Sequence, residues 1–427
     1  MRRALARAKK SEFIRNIAVL STGTALGQVL TVAASPVLSR LFGPDDFGLL
    51  GVIISVSGPI TMIAALRYEL AIVLSRDDEE AINVFMLCFG LVVALSALSA
   101  LSLVFTGDWL AVQLEAPTAG SLLLAVPMLV LFGGSFRNFL AWANRRKSYL
   151  RSSIACFSRS CTVVASQGAF GVLGQGAGLV YGRILGGAVA TVVLGAKILR
   201  EERTLISQSV RLGRMRAVAV AHDQFPKYTM PRSLLVSVSR NLPTIFLAAL
   251  FSPAAAGFYW FTARLLEMPT TLIGDAVRRV FYERAARLHQ DGKNILPLLT
   301  RTTLVLMTIS GAGTLFIVLT APPLFEFVFG AEWRPAGAYA QWLVLWWFAS
   351  FTNVPSAMLI PVYGLQRRFF VYEIVGFTLR ALAIWVATLV GDDLMAIALY
   401  SVVGFVFHSF IIIYIYLHAR KRQRAQV

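Results

Sequence analysis

Apolar runs of about 20 residues recur between Ile17 and Leu417, and very few architectures accommodate them. A run of that length crosses the hydrocarbon core of a bilayer as a helix. Lipid supplies no hydrogen-bond partners, so the backbone must satisfy itself within helices or a closed barrel. Segments Ala81–Phe105 and Leu122–Ala141 are apolar at both parities, which excludes the alternation of barrel strands. Only 15% of the 427 residues are charged, where a soluble domain carries about 25%, and the deficit extends along the whole chain. With a mean hydropathy of +0.69, no polar domain of ordinary size fits between the runs. The chain reads as an all-α integral membrane protein.

Twelve spans are expected, at 17–39, 47–66, 82–105, 120–142, 153–173, 177–196, 230–251, 257–277, 299–320, 337–361, 369–390 and 394–417. Basic residues set the orientation. They crowd the N-terminal tail (Arg2, Arg3, Arg7, Lys9, Lys10, Arg15) and the loops holding Arg145 to Arg151, Lys197 to Lys227, Arg278 to Lys293, and Arg367 and Arg368. The C-terminal tail adds Arg420, Lys421, Arg422 and Arg424. The opposite loops (Gly43–Phe47, Thr106–Ala119, Gly174–Gly176, Ser252–Ala256, Ala321–Ala336, Gly391–Asp393) contain a single basic residue, Arg334. Both termini are therefore expected in the cytoplasm. The net charge of +18 follows from this topology, so nucleic acid is not an expected partner. A cleaved signal peptide at Ala33-Ala34-Ser35 is disfavoured, because the first apolar run is long for one.

The chain repeats itself once. LFGPDDFG at Leu41 returns as LFSPAAAG at Leu250, with leucine, phenylalanine, proline and glycine in register. Arg145-Arg146 is echoed by Arg367-Arg368. The expected organisation is two six-helix lobes, 1–197 and 229–427, joined by a basic cytoplasmic linker, 198–228, with a basic tail on the second lobe. Repeats of six spans lie parallel, the arrangement that encloses a central site in transporters.

Catalytic chemistry leaves little trace. Cys88, Cys156 and Cys161 lack paired spacing, and none of the four histidines has a partner at ligand spacing. There is no Walker A loop, GxSxG, HExxH or CxxC. The outward loops Thr106–Ala119 and Ala321–Ala336 are too short for a catalytic domain. No enzyme, metal site or cofactor is expected, and any uphill work would draw on an ion gradient or a partner.

The informative residues are ionisable groups inside spans, where an arginine costs about 3 kcal/mol on insertion scales. Arg159, Arg183, Arg240, Arg264 and Arg380 are such residues, with Arg40 and Arg137 nearer span ends, where snorkelling to headgroups is an equal reading. Arg264 and Glu267 stand three apart, Glu373 and Arg380 seven apart, so pairing within one helix is the structural alternative. A cavity lined by arginines and few acids suits an anion, since guanidinium pairs bidentately with phosphate. In a bilayer, an anionic cargo with a membrane-resident half is a lipid pyrophosphate. Glu267 and Asp275 are candidate coupling residues. Trp342, Trp346 and Trp347 read as an interfacial belt and packing rather than a sugar platform. Arg200–Arg216 reads as lying on anionic headgroups.

Three stretches carry a resemblance: SRLFGPDDFGLL at Ser39, LRYELAIVLSRDDEEA at Leu66, and FGAEWRPAGAYAQWL at Phe329 followed by Pro355 and GLQRR. They resemble the polysaccharide transporter family, the Wzx-type O-antigen and capsule flippases of the multidrug/oligosaccharidyl-lipid/polysaccharide exporter superfamily. The resemblance implies two six-helix lobes working by alternating access in a bacterial inner membrane. The implied cargo is an undecaprenyl-pyrophosphate-linked oligosaccharide, an O-antigen, capsule or exopolysaccharide unit, passed to the periplasmic leaflet. It further implies H+ or Na+ as coupling ion, with polysaccharide polymerase and chain-length proteins as candidate partners. Arg67, Tyr68 and Glu69 are carried over as motif positions, where a gate or fold-stabilising pair and a cargo contact are equal readings. A multidrug/cation antiporter of the same superfamily is the alternative, although spans one and three to six lack the acid it would need. A membrane glycosyltransferase (polymerase or ligase) is the more distant one.

Overall fold

The apolar runs fold as helices, and every regular element among the described residues is helical. The computed structural model describes residues 23–113, 122, 124–389 and 391–424, with the side chains at 107–113, 272, 275, 276, 279 and 424 excepted. The basic N-terminal tail, the first residues of the first span and part of the Thr106–Ala119 loop lie outside these.

In chain order the helices are α1 (23–41), α2 (Pro44–Ile63), α3 (Ala71–Leu74), α4 (Asp78–Gln113), α5 (Ala125–Arg145), α6 (Tyr149–Val172), α7 (Gly178–Glu201), α8 (Arg203–Ser209) and α9 (Leu212–Ala221). They continue as α10 (Met230–Leu250), α11 (Pro253–Gln290), α12 (Leu296–Phe329), α13 (Arg334–Thr352), α14 (Val354–Val362), α15 (Gln366–Ala387) and α16 (Asp393–Arg424). Among the described residues eight helices are long and apolar enough to cross a membrane, and α13 with α14 forms a ninth span bent by 42°. α1, α6 and α11 lie at the positions of the other three expected spans.

The helix starts follow from local chemistry. The repeated Leu-Phe-x-Pro marks two of them. At α2, Pro44 occupies the first turn and the Gly43 amide donates to Asp46 Oδ2 at 3.1 Å. At α11, Pro253 does the same, and Ser252 Oγ accepts from the Ala255 amide at 3.1 Å. Residues 321–336, expected as loop, are mostly helical: α12 runs on to Phe329 and stops at Gly330, whose φ of 111° suits glycine alone. The linker is helical too, forming the end of α7, then α8 and α9.

The described residues form two units that meet inside α10, the first ending at Ile245 and the second starting at Phe246. In the first, α7 packs on α6 through Gly178, Gly182 and Gly186, one turn apart. A Cβ at Gly182 would lie 2.5 Å from Gln167 Cγ, so the backbones touch, as small-xxx-small faces allow in lipid. In the second unit α13 packs against α12 and α16. Trp333, 1% exposed, is gripped by Phe261 at a ring distance of 4.3 Å.

Candidate functional site

The Leu66–Ala81 stretch forms a buried ion cluster within the first unit. Beyond Ile63 the chain reverses through Leu66 (φ 49°) and Arg67 (φ 66°), two successive non-glycine residues in the left-handed region. That conformation costs about 1–2 kcal/mol per residue. Such strain persists only where surrounding structure enforces it, and it concentrates at functional sites. Here the enforcement is visible: Ala64, Ala65, Tyr68, Ala71 and Ile72 are all buried. The reversal turns Glu69 inward, where its side chain is 7% exposed.

Arg67 Nη1 donates to Glu69 Oε1 at 3.0 Å, and Arg137 Nη2 donates to the same oxygen at 3.3 Å. Arg137 reaches it because α5 approaches α2 closely: a Cβ at Gly133 would stand 2.9 Å from Thr61 Cγ2, and one at Gly134 would stand 3.2 Å from Ala64 Cβ. Arg137 thus pairs with Glu69 while 37% of its side chain stays exposed. A crevice lined by Thr61, Ala65, Glu69, Gly134 and Arg137 opens beside the cluster. Two guanidinium groups face one carboxylate, and Glu69 Oε2 is buried with no hydrogen-bond partner. Burial lowers the Arg67 guanidinium from its ordinary value, while the charge of Glu69 acts the other way. It stays cationic at any physiological pH.

The cluster is tied to the linker. Tyr68 Oη donates to the Ala219 carbonyl of α9 at 2.9 Å. Nearby, Arg145 caps the short α3 by donating to the Ile72 and Ser75 carbonyls at 3.0 and 2.8 Å. Arg146 bridges Asp78 and Glu202, each at 2.8 Å, and the hydrogen bond to Glu202 raises its guanidinium above the ordinary value. Arg214 pairs with Glu79 at 2.6 Å and His222 with Glu80 at 2.9 Å. Part of the basic segment therefore clasps the acidic start of α4 in addition to facing outward.

The other sequence-nominated residues divide between the units. In the first, Arg159 on α6 is partly buried over the Phe136 ring at 5.8 Å, so it and Arg137 reach the same turn of α5. Arg183 on α7 is partly buried, and Arg240 on α10 is exposed on its helix. In the second, Arg264 stacks over Trp260 at 5.2 Å, with Glu267 exposed. Arg380 takes the structural alternative: it donates to Glu373 Oε1 at 3.0 Å and to the Gly376 carbonyl at 2.9 Å. The side chain of Asp275 lies outside the described residues. Trp346 takes the packing half of the belt-and-packing reading. It packs on Gly404 and Tyr400, with ring centroids 5.0 Å apart for the latter, and its indole nitrogen is buried. Sequence reasoning passed over Asn353 and His408, which meet at 3.0 Å; a polar residue two places before a mid-span proline was the available signal.

Among the described residues no cluster of three His, Cys, Asp or Glu has metal-ligand geometry. What the fold and site define is a multi-pass membrane helix bundle with arginines inside its spans. The chain belongs to the polysaccharide biosynthesis protein family, which it matches over residues 37–338. It is 25% identical over 372 residues to the succinoglycan biosynthesis transport protein ExoT of Rhizobium meliloti (strain 1021), covering 81% of this chain and 68% of that protein. Its fold resembles an inward-facing multidrug resistance MATE family transporter of the MOP superfamily, with a TM-score of 0.74 and 13% identity over 96% of this chain and 100% of the other. It also resembles the inward closed lipid II flippase MurJ, with a TM-score of 0.69 and 10% identity over 94% and 90%. The expected polysaccharide family is thereby shown, and the fold is shared with these solved structures.

Proposed function

We propose that this protein is a flippase for an undecaprenyl-pyrophosphate-linked oligosaccharide, moving it from the cytoplasmic to the periplasmic leaflet of a bacterial inner membrane by alternating access. The observation that carries the reading is the excess of arginines over acids in the spans of a chain from this family. Arg159, Arg183 and Arg264 are partly buried and Arg240 is exposed, while Arg380 is paired with Glu373. Guanidinium groups held in a low-dielectric bundle are the natural counterpart of a pyrophosphate. The sugar would pass the polar interior while the lipid tail remains in the bilayer. The Arg67–Glu69–Arg137 cluster holds the strained inner end of α2 and serves as a gate element rather than a cargo contact. Both termini are assigned to the cytoplasm from the charge asymmetry of the loops.

The test is complementation of surface-glycan export in a strain lacking the gene, with Arg159, Arg183, Arg240 and Arg264 replaced singly by Ala and by Lys. Reduced export in the Ala variants, partly restored by Lys at normal protein levels, is expected. Full export by all four Ala variants overturns the reading. So does complementation of drug resistance in place of glycan export.

A further inference from the structure

The bent span of the second unit has an unassigned site at its break. α13 ends at Thr352 and α14 begins at Val354, at 42° to it. Pro355 in the first turn of α14 has no amide to donate, so the backbone ladder lapses at this point. Asn353 stands at the break with 4% exposure, and Ser356, one turn on, with 1%. Discontinuous spans of this kind hold transported ions in membrane proteins, because broken ladders leave polar groups unsatisfied.

Three polar groups here fit one ligand, a proton. Asn353 Nδ2 lies 3.0 Å from His408 Nδ1 on α16. Asn353 Oδ1 and Ser356 Oγ are buried without hydrogen-bond partners. His408 is partly buried, its ring nearly parallel to that of Trp346 at 6.5 Å. The roles in this contact depend on the tautomer: where the amide nitrogen faces Nδ1, Nδ1 accepts and the single imidazole proton sits on Nε2. A second proton can bind Nδ1 only when the amide leaves or turns over to present Oδ1, which is unsatisfied at present. Imidazole is the side chain suited to gaining and losing a proton near neutral pH.

We propose that His408 and Asn353 form a proton-binding site that operates the α13–α14 break, binding of the proton and release of the amide being one event. The site rests on the transporter reading above and deepens it by assigning the coupling ion and its residue. Protonation forms one N–H bond at Nδ1, with the proton taken from water, and breaks the Asn353–His408 hydrogen bond. Acid then favours whichever arrangement of the break frees Nδ1, as any ligand favours the state that binds it better. The groups facing His408 are few. Arg380 on α15 acts on it electrostatically and is itself paired with Glu373. Trp346 on α13 does not titrate, and α11 contributes Tyr259 against Tyr400 of α16 itself.

The test is a pH titration of tryptophan fluorescence on the purified full-length protein, since imidazolium beside Trp346 quenches its emission. The wild type is expected to show a one-proton step that Trp346→Phe abolishes and His408→Gln removes. Asn353→Asp, which offers a carboxylate to the imidazolium, is expected to move the midpoint up by about 1 pH unit or more. A wild type without the step, a step unchanged in His408→Gln, or a midpoint unmoved in Asn353→Asp overturns the proposal. The titration needs no cargo, so a different transported substrate would remove the glycan-export phenotype and leave this step intact.

Discussion

Arg137 on α5 donates to Glu69 Oε1 at 3.3 Å, across 68 residues of sequence and beside the strained turn that ends α2. The contact makes Glu69 the shared counter-charge of two arginines, Arg67 being the other. Removing the carboxylate leaves two cations facing one another.

Glu69→Gln should therefore destabilise more than a surface change does. Deleting one member of a buried pair costs about 3–5 kcal/mol, and the half-exposed Arg137 brings the expectation to the lower end, roughly 3 kcal/mol. Thermal unfolding of the purified protein measures it. Wild-type stability in Glu69→Gln would show that the cluster holds nothing together.

Lys147 offers the opposite sign. It follows α5 with φ 54°, while its amide donates to the Asn144 carbonyl and that of Ser148 to Ala143, the pattern of a left-handed helix stop. The side chain is exposed, so Lys147→Gly loses no packing and should raise stability by about 1 kcal/mol. An unchanged or lower unfolding temperature counts against it.

The α6–α7 contact predicts a difference between two glycines. At Gly182 a Cβ meets Gln167 Cγ at 2.5 Å and its backbone nitrogen at 3.1 Å, so Gly182→Ala should cost about 1–3 kcal/mol. At Gly168, on α6, a Cβ meets nothing within 4 Å, so Gly168→Ala should be neutral or gain up to about 1 kcal/mol. Parallel thermal unfolding of both variants decides it, and equal effects would contradict the close approach.

Tyr68→Phe removes the hydroxyl that holds the Ala219 carbonyl. The expected cost is about 1 kcal/mol. Amide exchange should quicken across 212–221 and stay unchanged in α5. Uniform exchange across the linker would mean that α9 is held by the Arg214–Glu79 and His222–Glu80 pairs alone.

The helical, membrane-spanning character of the chain and several helix ends were legible in the sequence. Each depends on local quantities: the length of an apolar run, a proline in a first turn, a glycine after a last one. Pro44 and Pro253 open α2 and α11 by the same chemistry, which is why their surroundings repeat. The positions of Arg67 and Glu69 were legible as well, because the motif marks them.

Which side chains meet was decided only by tertiary structure. Glu69 takes Arg137, Asn353 takes His408, and Arg380 takes the carboxylate on its own helix instead of standing free. Trp346 packs onto Gly404, a partner that hydropathy does not name. The physical reason is that these spans are apolar on nearly every face, so no hydrophobic stripe fixes their rotation. Close backbone approach at Gly133, Gly134 and Gly182 sets that rotation instead, and with it the partner each buried charge finds.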